Sequence, residues 1–217
     1  MNFKKELTEN ILPFWLNNAI DWENGGIITC LDRKGNIYGR EKSVWFQGRA
    51  MWTFSKAYNC IDKNGAYLEA AKNLYGFLPK CTDTDGRMFF TVTEDGCGVQ
   101  KRCDYLSETF AAIGCAELYK ATGVEEVLKS AETFFDIAYK CFKGEIYTQP
   151  KFNADVRDTK ALSPVMIMLS TAQVMRSMDT DKKQYYDKIA SDCLNEILDG
   201  GYLKKALLES VSKNGDF

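Results

Sequence analysis

GGIITCLDRKGNIYG, residues 25–39, followed after three residues by SVWFQGRAMWTFSKAY, residues 43–58, decides how this chain folds. The first piece is polar, flanked by glycines and turned at Asp32-Arg33-Lys34-Gly35-Asn36, which predicts a short hairpin over Gly26 to Tyr38. The second has helical periodicity. Read as a helix, it places Trp45, Arg49, Trp52 and Lys56 at i, i+4, i+7 and i+11, on one face. Two indoles around one guanidinium make a candidate floor for a sugar: aromatic rings cover apolar C–H faces, and arginine donates hydrogen bonds to oxygens.

Working outward, the spacing predicts helices over residues 3–20, 44–62, 65–79, 104–121, 124–141, 162–178 and 182–199. Thr122-Gly123-Val124-Glu125 combines a glycine stop with a Thr-x-x-Glu capping box for the next helix. Ser163-Pro164 reads as an N-cap followed by proline at the first helical position. A second hairpin is expected over Arg87 to Val99 with its turn at Glu94-Asp95-Gly96, and a third irregular stretch runs from Gly144 to Lys160. The helix–loop–helix units recur with a loose period of about 60 residues. Stacked helical hairpins with their long connections gathered on one face describe an all-α toroid, with inner helices starting near residues 44, 104 and 162. No composition break marks a linker, so residues 1–217 read as one domain.

Composition narrows the function classes. The 217 residues are 45% hydrophobic with a formal net charge of -2, which gives no broad attraction to phosphate backbones or anionic membranes. Nucleic-acid binding and membrane association are therefore not expected. The start, MNFKKELTENILPFWLNNAIDW, carries charges within its apolar pattern, and no run of about 20 apolar residues follows. A cytoplasmic protein is expected. Its eight cysteines form no C-x-x-C pair and read as free buried thiols, with no metal site. Histidine is absent, which removes the commonest general base at neutral pH.

WENGGIITCLDRKGNIYGREKSVWFQGRAMWTFSKAY, residues 22–58, resembles the N-acylglucosamine 2-epimerase family, the renin-binding-protein group. That family carries a similar glycine-rich hairpin followed by Trp-x-Gln-x-Arg. Ser107-Glu108-Thr109-Phe110 leading into AELYKATG, and Ser163-Pro164-Val165-Met166, extend the likeness over nearly the whole chain. The resemblance implies an (α/α)6 barrel interconverting N-acyl-D-glucosamine and N-acyl-D-mannosamine, with no cofactor required for the chemistry and ATP as an activator in some members. Inverting C2 needs ring opening, removal of the α-proton and reprotonation on the other face, hence two acid/base groups and a donor for the enediolate oxygen. The family supplies the acid/base pair as histidines in its C-terminal half. LKKALLESVSKNGDF, residues 203–217, resembles the segment just upstream of the first of these, so the chain reads as an N-terminal portion of about seven helices, inactive alone. Implied partners are an amino sugar and either a second copy or a complementary C-terminal chain.

Arg49 matches the family arginine that contacts substrate and stabilises the oxyanion; otherwise it is a surface ion-pairing residue. Trp45 and Trp52 are stacking surfaces or core. Glu108 is either a pocket carboxylate or a first-turn residue favoured by the helix dipole. Phe110 and Met166 resemble pocket-lining positions, with core packing as the alternative. Lys101 and Arg102, in a loop resembling one associated with nucleotide, would hold phosphate, or else sit on a plain solvated turn. Two rival readings stand beside the amino-sugar epimerase. One is an epimerase or aldose–ketose isomerase for mannose or a disaccharide, whose members tend to place histidine where this chain has Ser163 to Met166. The other is a non-catalytic sugar-binding or interaction module.

Overall fold

The computed structural model describes residues 2–101, 104–149, 159–178 and 180–214. The chain opens with α1 (Phe3–Glu6), a π-helical turn (Leu7–Ile11) and α2 (Leu12–Asn18), which run on as one rod. Pro13 explains the irregular turn: it has no N–H to continue the α ladder, and the Leu12 N–H reaches back five residues to the Leu7 carbonyl. The later helices are α3 (Val44–Cys60), α4 (Gly65–Phe77), α5 (Leu106–Thr122), α6 (Glu125–Phe142), α7 (Leu162–Arg176) and α8 (Lys183–Asp199). The expected helices are all present, within a few residues at their ends.

Two capping expectations need correction. Gly123 does stop α5 in a left-handed conformation at φ 68°, but the Thr122–Glu125 box does not form. Thr122 is still helical and donates its hydroxyl to the Leu118 carbonyl, leaving Val124 as the N-cap of α6. Likewise α7 begins at Leu162 after Ala161, so Ser163 and Pro164 lie inside its first turn. Proline is tolerated there because the first turn has no intrahelical acceptors for its N–H groups.

The connections carry short antiparallel strands. β1 (Cys30–Leu31) pairs with β2 (Ile37–Gly39) as the first expected hairpin, and Asp32 closes its turn by accepting the Lys34 and Asn36 N–H groups. β4 (Thr91–Val92) and β5 (Gly98–Gln100) form the second. A further strand, β3 (Lys42–Ser43), adds to β4 and makes a three-stranded sheet in the order β3-β4-β5. β6 (Thr159–Ala161) pairs with the distant β7 (Ser210–Ser212) in front of α7.

The helices form two layers. α5 packs against both α3 and α7, giving an inner row α3–α5–α7, while α4, α6 and α8 each cover their preceding inner helix from outside. α2 touches α4, which puts the N-terminal rod in the outer row too. Layer position follows from sequence. Outer α6 buries Val127, Ala131, Phe135 and Ala138 along one stripe, as an amphipathic helix does. Inner α5 is rich in small residues and buries Ala111, Ala112, Gly114, Cys115 and Ala116. Its approach to α3 is close enough that a Cβ on Gly48 would lie 2.4 Å from the Phe110 carbonyl carbon, and one on Gly114 would lie 2.6 Å from the Gly48 oxygen. Only glycine fits such a crossing.

No disulfide occurs among the described cysteines. Cys81, Cys115, Cys141 and Cys193 are buried, but Cys60 and Cys97 are exposed, so the expectation of uniformly buried thiols is corrected. Burial pushes the Cys81 thiol up to about 12, because a thiolate loses its hydration there. Among the described residues no helix is long and apolar enough to cross a membrane.

Candidate functional site

The site is built outward from the start of α3. Lys42, just before it, is fully buried, and its ammonium places all three protons: on Asp21 Oδ2 at 2.7 Å, the Gly25 carbonyl at 2.6 Å and the Glu94 carbonyl at 2.6 Å. The Phe77 ring lies 4.5 Å below it. One cation thus ties the loop after α2 to both hairpins. Burial pushes the Asp21 carboxyl up, but hydrogen bonds from Lys42 and Asn24 and the Lys42 charge outweigh it and hold the group below the usual carboxylate range.

One turn into α3, buried Gln47 performs a similar task. Its Oε1 accepts the Ile27 N–H at 2.7 Å, and its Nε2 donates to the Ile27 and Ser43 carbonyls, each at 3.0 Å. The glutamine of the Trp-x-Gln-x-Arg motif is therefore the peg that fixes the first hairpin to α3.

Arg49 leaves the helix on the opposite side and is exposed. Its guanidinium carbon lies 5.2 Å from the Phe110 ring centre, 5.5 Å from Phe46 and 5.6 Å from Trp45. Trp45 and Phe110 meet edge to face at 5.7 Å, joining α3 to α5. Among the described residues Arg49 has no carboxylate at ion-pair distance. A cleft of about 230 Å³ opens beside it, floored by Leu7, Ile11, Trp15, Phe46, Ala50 and Phe54. An arginine held by cation–π contacts keeps its N–H groups for an oxygen-rich ligand.

The structure thus brings Trp45, Arg49 and Phe110 together and separates the other candidates from them. Because α3 runs unbroken from Val44 to Cys60, Trp45, Arg49, Trp52 and Lys56 keep their spacing along one face, but their contacts differ. The third ring is Phe46, three residues before Arg49; no described ring contact joins Trp52 to the arginine, and Lys56 pairs with buried Glu117 at 3.5 Å. Glu108 is fully buried and lines none of the described clefts. Its Oε1 accepts from Arg87 Nε at 2.7 Å and from the Met88 N–H at 3.0 Å, and Arg87 also donates to the Asp104 carbonyl. The pair bolts the second hairpin to α5.

Met166 is 50% exposed on α7, on a separate cleft shared with Ser163, Leu207 and Glu209. Lys101 already engages Asp83 at 2.7 Å, and that hydrogen bond is the largest influence lowering the Asp83 carboxyl. Arg102 lies outside the described residues. No group of three His, Cys, Asp or Glu side chains placed to hold a metal ion occurs among the described residues. Phe46 and Lys42 were not among the expected site residues. Phe46 stood at helical spacing i, i+3 from Arg49, whereas nothing local marks Lys42.

Comparison with known proteins agrees with this geometry. The family model for N-acylglucosamine 2-epimerase (GlcNAc 2-epimerase) matches residues 26–205. The N-acylglucosamine 2-epimerase of Rattus norvegicus is 26% identical over 219 residues, covering 95% of this chain and 51% of the relative. The cellobiose 2-epimerase of Bacteroides fragilis is 30% identical over 145 residues, covering 65% of this chain and 37% of the relative. The chain spans about half the length of the curated N-acylglucosamine 2-epimerases it matches. Among solved structures, cellobiose 2-epimerase from Bacillus thermoamylovorans superimposes with a TM-score of 0.83 at 20% identity, over 99% of this chain and 59% of that one. That likeness establishes the fold as part of a helical (α/α)6 toroid. The match spans the hairpin, α3 with Arg49, and all three inner helices, and on it the chain belongs to the N-acylglucosamine 2-epimerase family.

Proposed function

We propose that this chain forms the arginine-and-aromatic wall of a sugar 2-epimerase site acting on N-acyl-D-glucosamine and N-acyl-D-mannosamine. The observation that carries the reading is Arg49: exposed, without a carboxylate partner among the described residues, and seated among Trp45, Phe46 and Phe110. In the reaction Arg49 donates hydrogen bonds to the oxygen that gains charge as the C2 proton leaves. The edge of Phe110 and the face of Trp45 shield the sugar's C–H surface. The proton acceptor and donor on either side of C2 are not assigned to this chain, whose 217 residues include no histidine. The chemistry requires no cofactor, and ATP enters this reading only as an activator.

An epimerase or isomerase for a neutral sugar is the second reading. It is favoured by the 30% identity to a cellobiose 2-epimerase and opposed by the absence of histidine at the start of α7. A chimera in which this chain replaces the matched half of the rat enzyme, as one polypeptide, separates the two. Turnover of N-acetylmannosamine in preference to mannose and cellobiose supports the first; the reverse preference overturns it. The 217-residue chain alone should leave the C2 hydrogen of N-acetylmannosamine unexchanged in deuterium oxide.

A further inference from the structure

Arg49 lies among three rings, and they are not equivalent. Trp45 meets Phe46 edge to face at 5.2 Å and Phe110 at 5.7 Å, whereas no ring contact joins Phe46 to Phe110 among the described residues. Trp45 therefore stands between the other two. Phe110 comes from α5, while Phe46 lines the cleft between the N-terminal rod and α3, beside Leu12 and Trp15. The guanidinium thus has Phe110 on the α5 side, 5.2 Å from its carbon, and Phe46 on the cleft side at 5.5 Å. Helix geometry explains the choice of rings. A long side chain in an α-helix leans back over the turn before it, so Arg49 covers positions i−3 and i−4, which are Phe46 and Trp45. Trp52, at i+3, lies on the turn that Arg49 leans away from.

We infer that Phe46 is a positioning residue for the reaction: its ring holds the Arg49 guanidinium in the backward-leaning conformation and keeps it out of the cleft. The inference rests on the proposed function, in which Arg49 donates to the substrate oxygen. An exposed arginine turns about several side-chain bonds, and each ring face that its cation covers favours one arrangement through the negative charge on that face. Removing the ring on the cleft side opens a second arrangement, in which the guanidinium drops toward Thr29 and Thr53 on the cleft wall. Rings suit this task better than a carboxylate would. A carboxylate fixes a guanidinium by consuming its N–H groups, whereas a ring covers the cation and leaves those groups for a ligand. Orientation counts most where charge develops on the substrate oxygen, so the contribution of Phe46 falls on kcat and leaves KM nearly unchanged. Phe46 acts through Arg49, without donating or accepting a proton itself.

The test begins with nuclear magnetic resonance of the full 217-residue chain labelled with heavy nitrogen. The Arg49 Nε–Hε signal, identified by its loss in Arg49→Lys, should lie upfield of the free-arginine position, because ring currents shield a proton over an aromatic face. Phe46→Leu, which keeps apolar bulk without a ring, should return the signal at least about halfway to the free position, and Phe46→Tyr should keep it shielded. Phe46→Met takes the place of Phe46→Leu if circular dichroism shows that the leucine variant does not fold. The covalent chimera with the rat half then reads the consequence. Its kcat for N-acetylmannosamine should fall about tenfold with Phe46→Leu, KM should change less than about twofold, and Phe46→Tyr should restore the rate. A signal unmoved by Phe46→Leu overturns the inference. So does a moved signal without the fall in kcat in an active chimera, or a fall that Phe46→Tyr does not restore. A chimera that leaves the C2 hydrogen unexchanged with Phe46 intact counts against the proposed function, and the arginine signal still decides whether Phe46 holds the guanidinium.

Discussion

The two sides of α3 are built in opposite ways. On one side Lys42, Gln47 and Gly48 are buried, their polar atoms matched to hairpin backbone and the glycine pressed against α5. On the other, Arg49 and Thr53 are exposed, and Arg49 lies over aromatic rings with no carboxylate partner among the described residues. A single short motif therefore does two jobs: Gln47 and Gly48 set the fold, while Arg49 lines the cleft with the Trp45 ring beside its guanidinium. The comparison teaches that residues side by side in a motif owe their places to different physics, and substitution should tell them apart.

The largest loss of stability is expected from Lys42→Met. It leaves the Asp21 carboxylate buried without its cation and frees the Gly25 and Glu94 carbonyls, at a cost of about 3–5 kcal/mol in urea unfolding. Gly48→Ala should follow at about 1–3 kcal/mol, since its new methyl has only backbone to push against, and it should also shift the Trp45–Phe110 contact. Acid sharpens the same side. The Asp21 carboxyl is held low in the folded state, so its contribution is present above the unfolded value of about 4 and is lost as pH falls through the folded value. Urea midpoints should drop below about pH 4, and Asp21→Asn, weaker at neutral pH, should converge on the wild type there. The smallest stability effect is expected from Arg49→Ala, which removes an exposed group and should leave the midpoint unchanged. A large loss from Arg49→Ala, or none from Lys42→Met, would break the comparison.

Much of this was legible in the sequence because it is local. Helical periodicity and turn residues located the helices and both hairpins. The grouping of Trp45 with Arg49 followed from i, i+4 spacing, and Phe110 came from the resemblance. What was not legible depends on distant partners. β3 joins β4 across about fifty residues, and β6 joins β7 across a similar gap, so no short window shows either. Lys42, set between Glu41 and Ser43, looks like a surface lysine until the Asp21 loop and the Glu94 turn close over it. Glu108 read either as a pocket carboxylate or as a first-turn residue favoured by the helix dipole, and its pairing with Arg87 from the preceding hairpin is not visible in any short window. The Phe46 contact with the guanidinium also depends on side-chain direction, which spacing alone leaves open.

The central claim is that Arg49 works on substrate and not on the fold. Its most direct test is deuterium incorporation at C2 of N-acetylmannosamine by the covalent chimera with the rat half, with and without Arg49→Ala. Exchange should be clear with arginine and fall about a hundredfold or more with alanine, at unchanged urea midpoint. Equal exchange by both proteins would contradict the claim.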